Sequence, residues 1–492
     1  MEKNTVVINK KIASNTKFIE INGDIIVPDV KPDIISIINT NGIPYIYKED
    51  VSNGRIRFDG NIDTYVVYLA DSGETRSIQT TLTFSDSIEE GNITENAFVK
   101  QKVSLESIEA KALNERKLTI KASLKIKSEV FEKAEIDITS DFNEIENVQK
   151  LKETLNIKSL IGNNKVKTSI KEDINIDNSY SVAEILKTDV EITNIENKIS
   201  YNKVLAKADA KVKIVFLSED GRIGVASSSI PVMSFIDIDK ISDNNMCNVE
   251  YCIRNILFKT NTKEQHSITC QIEFEVFCDA FEVKTIDVVQ DMYGIKNNID
   301  FTKRDVDVQI DSKEAYEIIN INERILVEDL LNISDAYCKP RIINRSKSGN
   351  LINYECELVL TIYYEVDNRN GINVKNITLP FMLKSELDNE DFDFSINKKN
   401  FTVNQEYVNC DIEIFAKSGF NCLRRISVIE NVSLSECEED CEYKMFMYFV
   451  KGGDTVWNIA KRFKVCMNDI IKLNNLECPD KLKVGDRLYI MR

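Results

Sequence analysis

Residues 448–490 read YFVKGGDTVWNIAKRFKVCMNDIIKLNNLECPDKLKVGDRLYI. Tyr448-Phe449-Val450 suits a short strand, and Gly452-Gly453-Asp454-Thr455 turns the chain into a helix with Asp454 or Thr455 as its N-cap. Val456, Ile459, Ala460 and Phe463 recur at helical spacing and give that helix one apolar face. A second short helix over Asn468 to Leu473 presents Ile470 and Ile471, and the loop from Asn474 to Leu482 leads through Gly485 into a closing strand, Arg487 to Ile490. The order is β-α-α-β, and in a unit this small nearly every apolar side chain is needed for the core.

Working outward from this unit, Ser435-Glu436-Cys437-Glu438-Glu439-Asp440-Cys441-Glu442 is acidic and lacks either structural period, so 437–444 reads as a linker to a last domain at 445–492. Much of residues 18–436 alternates in the manner of strands, as in Arg55-Ile56-Arg57-Phe58 and Thr64-Tyr65-Val66-Val67-Tyr68-Leu69. Asp71-Ser72-Gly73 and Glu219-Asp220-Gly221 mark tight hairpins.

A repeat emerges when Lys31–Ile37, Ser181–Lys187 and Leu326–Asn332 are laid side by side. Each reads as one or two helical turns, followed by a strand, a polar stretch and a long hairpin: Val204 to Val215 with Gly221 to Val225, and Tyr354 to Glu365 with Asn373 to Leu379. A second hairpin recurs as Val103 to Ala110 with Lys117 to Ile126, Val249 to Phe258 with Ser267 to Phe277, and Val408 to Phe415 with Arg424 to Val432. The expected fold is therefore mainly β: an N-terminal segment 1–17, three related β-rich domains in tandem at 18–150, 151–300 and 301–436, then the small βααβ domain.

Composition narrows the function. A chain of 492 residues needs several cores, and 43% hydrophobic with 29% charged residues suits packed domains. With 63 basic and 80 acidic residues the formal charge is -17, which repels phosphate backbones, so no nucleic-acid partner is expected. The first twenty residues lack a signal-peptide apolar run, and no stretch is long enough to span a bilayer, so cytoplasmic synthesis without membrane insertion is expected.

All cysteines lie from Cys247 onward, which fits reduced thiols better than a disulfide framework. Cys437 and Cys441, and Cys247 and Cys252, are close in sequence but have no histidine nearby, and two thiolates do not make a four-ligand zinc cage. The single histidine, His266, sits in a polar run that reads as a hairpin turn, not as the base of a hydrolase triad. No phosphate-binding glycine pattern occurs. The chain is expected to be a binding protein with no catalytic residue, metal or cofactor.

The C-terminal unit resembles the LysM family at Tyr448, Val450, Gly453-Asp454-Thr455, Trp457, Ile459-Ala460, Asn474, Leu476, Pro479-Asp480, Leu482, Gly485, Leu488 and Ile490, departing from it at Val484, where the family often has proline, and at Cys466. The resemblance implies a shallow groove for N-acetylglucosamine polymers such as peptidoglycan, lined by Gly453, Asp454, Thr455, Asn475, Leu476, Cys478, Pro479, Asp480 and Leu482, with Trp457 available for stacking on a sugar ring. Each also has a structural alternative: a cap for Asp454 and Thr455, core for Leu476 and Leu482, a stiff loop for Pro479, burial for Trp457.

A LysM tail on repeated β-domains, the first opened by Val27-Pro28-Asp29-Val30-Lys31-Pro32-Asp33-Ile34, resembles the clostridial spore-coat morphogenetic proteins that carry SPOCS domains. That resemblance implies an adaptor made in the mother cell, recruited to the forespore surface and spore coat through the coat-scaffold ATPase, stage IV sporulation protein A. A peptidoglycan anchor of the wall or cortex is the second reading, and a wall hydrolase with a LysM tail the third.

Overall fold

The computed structural model describes residues 2–491 apart from 143–144, 262–265, 329, 350, 367–371, 386–391, 405–406, 437–443 and 480. The first repeat holds β1 (Glu2–Ile26), β2 (Ile34–Ser52), β3 (Arg55–Ala70), β4 (Thr75–Glu89), β5 (Phe98–Asn114) and β6 (Lys117–Asp141). The second holds β7 (Val148–Asn175), β8 (Val182–Ser200), β9 (Lys203–Ser218), β10 (Ile223–Asp237), β11 (Met246–Thr260) and β12 (Ser267–Gly294). The third holds β13 (Asn297–Leu326), β14 (Leu330–Ser348), β15 (Leu351–Val366), β16 (Ile372–Ser385), β17 (Asp393–Asn404) and β18 (Tyr407–Glu436). The C-terminal unit is β19 (Met445–Phe449), α1 (Val456–Phe463), α2 (Met467–Leu473) and β20 (Arg487–Met491).

Each repeat is a sandwich of two three-stranded antiparallel sheets, β1-β6-β5 on β2-β3-β4, and likewise β7-β12-β11 on β8-β9-β10 and β13-β18-β17 on β14-β15-β16. The alternation of the sequence explains the packing. In β6, Leu118, Ile120, Ala122, Leu124 and Ile126 are all fully buried while Lys121 between them is exposed. The same inward row recurs in β12 (Ile268, Cys270, Ile272, Phe274, Val276) and β18 (Val408, Cys410, Ile412, Ile414, Ala416).

Three expectations are corrected. Residues 2–17 are not a separate segment but the first part of β1, paired with the end of β6. The three short segments read as helical turns open as strands β2, β8 and β14 after a brief turn. Each strand carries two bulges near its start, at Ile34/Ser36 and Ile37/Asn39, Val182/Glu184 and Ile185/Lys187, Leu330/Asn332 and Ile333/Asp335. Each bulge adds a residue to the alternation, so apolar side chains such as Val182, Ile185 and Leu186 fall at spacings that imitate a helix face. Finally, Val408–Phe415 and Arg424–Val432 are not two arms of a hairpin. Both lie in β18, where Gly419 continues the strand and the first segment is flanked by β13 and β17.

The repeats close into a ring, since β4 meets β8, β10 meets β14 and β16 meets β2. One apolar cluster at the centre takes Val67 from the first repeat, Leu186, Val215 and Leu217 from the second, and Tyr337 and Tyr363 from the third. Beyond the sandwiches, β1–β6, β7–β12 and β13–β18 continue as two-stranded ribbons, packed together through Val6, Ile138, Ile157, Val288, Val308 and Val428.

The proline-aspartate phrase that opens the first repeat is pinned there. Arg116 donates to the carbonyls of Lys31 (2.8 Å) and Val27 (3.0 Å) and to the Asp33 carboxylate (2.9 Å), and Lys31 reaches Glu184 of the second repeat at 2.7 Å.

Candidate functional site

The LysM unit forms as expected, with β19 and β20 antiparallel and the two helices between them. Val450, Val456, Ile459, Ala460, Ile470, Leu488 and Ile490 make its core, with Phe463, Ile471, Leu476 and Leu482 half-buried around it.

The first loop is set by hydrogen bonds. Gly453 adopts φ +83°, a left-handed turn that glycine takes without strain. Thr455 is the N-cap of α1, its hydroxyl oxygen accepting from the Asn458 amide at 3.1 Å. Asp454 is not the cap. Its carboxylate accepts from the Lys451 amide (2.8 Å) and the Tyr448 hydroxyl (2.7 Å), with Arg462 nearby at 3.7 Å. The Lys451 amide and then the Tyr448 hydroxyl hold the Asp454 carboxyl below its ordinary value. The second loop is tied to β20 by Asn474, which donates to the carbonyl of Tyr489 (2.7 Å) and accepts from its amide (2.6 Å). Asn475 follows in a left-handed conformation (φ 49°).

Of the groove residues expected from the sequence, Gly453, Thr455, Asn475 and Cys478 are exposed, and Asp454, Leu476, Pro479 and Leu482 are half-buried. Leu476 and Leu482 pack on the domain core, and Asp480 lies outside the described residues. The two loops thus present to solvent Gly453 and the side chains of Lys451, Thr455, Asn475, Glu477, Cys478 and Lys481.

Trp457 requires a correction: it is no platform for a sugar. It is 7% exposed, its ring lies edge-on to Tyr293 of β12 with centroids 5.0 Å apart, and its indole N–H donates to Asp291 at 2.8 Å. The same Asp291 carboxylate accepts from Lys461 at 2.7 Å. Burial pushes Asp291 upward, but the hydrogen bonds from Lys461 and Trp457 outweigh it and hold the carboxyl below its ordinary value. Tyr293 donates to the carbonyl of Val465 (2.7 Å), and Lys464 to Asn298 (2.6 Å). The LysM unit is therefore docked through α1 and the α1–α2 turn on the ends of the second and third ribbons, with Leu151 and Ile295 packed beneath. Sequence reasoning missed this dock, because Asp291 and Tyr293 lie far from Trp457 along the chain and nothing in their own stretch marks them as its partners.

Other expected candidates are quickly placed. His266 is exposed in the turn before β12, its Nδ1 2.7 Å from the carbonyl oxygen of Tyr180. Every described cysteine is a free thiol, while Cys437 and Cys441, with most of the acidic linker, lie outside the described residues. Among the described residues, no group of three histidine, cysteine or acidic side chains is placed to hold a metal, and no helix is long and apolar enough to cross a membrane.

Comparison with known families accounts for both parts. The LysM domain family matches residues 448–490, and the family described as SipL, SPOCS domain matches residues 33–113 and 181–261. The two SPOCS matches run from the clamp before β2 into β5, and from the start of β8 into β11. No curated protein matches the chain. Together the domains support a sporulation-related adaptor of the peptidoglycan-binding type. The chain carries two SPOCS domains of the SipL type and a C-terminal LysM domain, the domain content of the spore-coat morphogenetic proteins its sequence resembles.

Proposed function

We propose that this protein is a non-enzymatic adaptor of endospore coat assembly, made in the mother cell and held at the forespore surface by the coat-scaffold ATPase, with the LysM unit as a docking module. The observation that carries the reading is the division of labour within LysM: α1 is committed to the body of the protein, while the loops around Gly453 and Asn475 are left exposed. The third repeat, built like the first two, acts on this reading as a further SPOCS-like domain, and several domains in one chain suit multivalent contact. Pull-down of the scaffold ATPase by the full chain tests it. Capture is expected, with at least a tenfold loss on a Gly453→Arg, Asn475→Arg double change in the loops, and no capture by the wild-type chain contradicts it.

A second reading keeps LysM as a glycan binder for peptidoglycan or N-acetylglucosamine oligomers, favoured by the backbone groups exposed in both loops, which suit acetamido groups. Co-sedimentation with purified peptidoglycan, abolished by the same double change, is its expected result.

A further inference from the structure

The three junctions of the ring are not built alike. Where the first repeat meets the second, Ile43, Tyr45 and Tyr65 enter the core of the second repeat, and Arg254 with Glu275 and Lys100 with Asp279 form buried ion pairs beside it. Where the second meets the third there is instead a half-open cleft of about 860 Å³.

The strand registers show why. Tyr65 lies between Asn41 and Gln79 in its sheet, and Lys213 lies between Asp189 and Ser227 at the matching place in the next repeat. Ile43 pairs with Asp63 as Glu191 pairs with Lys211. The aromatic and aliphatic fillers of one junction are thus replaced by a lysine and a glutamate in the other, and the space they would occupy is left open. A hollow at this position is a property of these side chains, not of the fold.

The lining has a definite chemistry. Lys211, Lys213, Lys339 and Lys399 surround it, Ser228 adds a hydroxyl, and Phe394 gives an apolar wall. Three acids also line it: Asp189 lies directly across the strands from Lys213, Glu191 from Lys211, and Asp393 comes from β17, while Lys213 is ion-paired with Asp335. Lys399 donates to the carbonyl of Ala336 at 3.0 Å and Lys339 to that of Leu105, and among the described residues neither has a carboxylate within ion-pair distance. Cationic charge therefore remains over an apolar wall, in a volume suited to a small molecule.

We propose that this cleft binds a small oxyanion, a carboxylate or a phosphate, between the second and third repeats. Lys187, lying against the Tyr337 ring that lines the cleft, is pulled down to about 7 by desolvation, with Lys213 and Lys399 adding to the effect against Asp189 and Asp335. An anion in the cleft favours the charged form of that buried lysine.

The test is calorimetric titration of the full chain with citrate and, separately, with inorganic pyrophosphate at matched ionic strength. Saturable one-to-one binding of at least one is expected, weakened tenfold or more by Lys211→Glu with Lys399→Glu, two exposed positions whose change leaves the core intact. Lys121→Glu, on the outer face of the first repeat, is expected to leave affinity unchanged. Preference for citrate assigns a carboxylate ligand, and preference for pyrophosphate a phosphate. No saturable binding of either up to about 10 mM, or binding indifferent to the paired reversal, overturns the proposal.

Discussion

Lys187 shows how a single side chain reports on its surroundings. Its folded pKa of about 7 lies below the ordinary lysine value because desolvation disfavours the ammonium. The unfolded chain then holds a proton that the folded chain releases between about pH 7 and 10.5, so this residue's penalty is full below pH 7 and fades as pH rises through that window. Lys187→Met is expected to raise stability by about 2 kcal/mol at pH 7, discounted for partial exposure, and by almost nothing at pH 10. Denaturant unfolding at the two pH values checks this, and an equal gain at both would assign the effect to packing. Residues of this kind were poorly legible in the sequence. Lys187 falls in a stretch that reads as a helical turn, whereas Gly453-Asp454-Thr455 marks the turn into α1, and only the division of Asp454 and Thr455 into loop anchor and cap needs the backbone.

At the scale of elements, alternation identified most strands, and the turns at Gly73 and Gly221 lie where aspartate and glycine coincide. Bulges were invisible, because a strand that adds a residue loses its period of two locally, and so the openings of β2, β8 and β14 imitated helices. The ribbons were hidden for a different reason: the partner of Glu2 is Asp141, at the far end of the repeat. Central strands leave little room for added volume. A Cβ on Gly60 in β3 would meet the Phe84 ring and come within 2.6 Å of the Tyr45 carbonyl oxygen. Gly60→Ala is expected to cost about 1–3 kcal/mol, read as a lower thermal midpoint, and an unchanged midpoint would mean β2 and β4 are not held this tightly.

For the whole molecule, the repeat was readable because its copies share one order of strands, but ring closure and the seating of LysM were not, since both depend on contacts between residues distant in the chain. An adaptor of defined geometry depends on that seating, with a recognition unit fixed to the ribbon ends and its loops turned outward. The chain has one tryptophan, Trp457, and it lies in the dock. Acrylamide quenching of its fluorescence in the full chain is therefore the most direct measurement. The dock predicts a blue-shifted emission, quenched several-fold less than free tryptophan, that shifts red and becomes accessible in Asp291→Ala, where the indole N–H and Lys461 lose their shared acceptor. A wild-type signal as accessible as in the isolated LysM unit, and unchanged by Asp291→Ala, would contradict it.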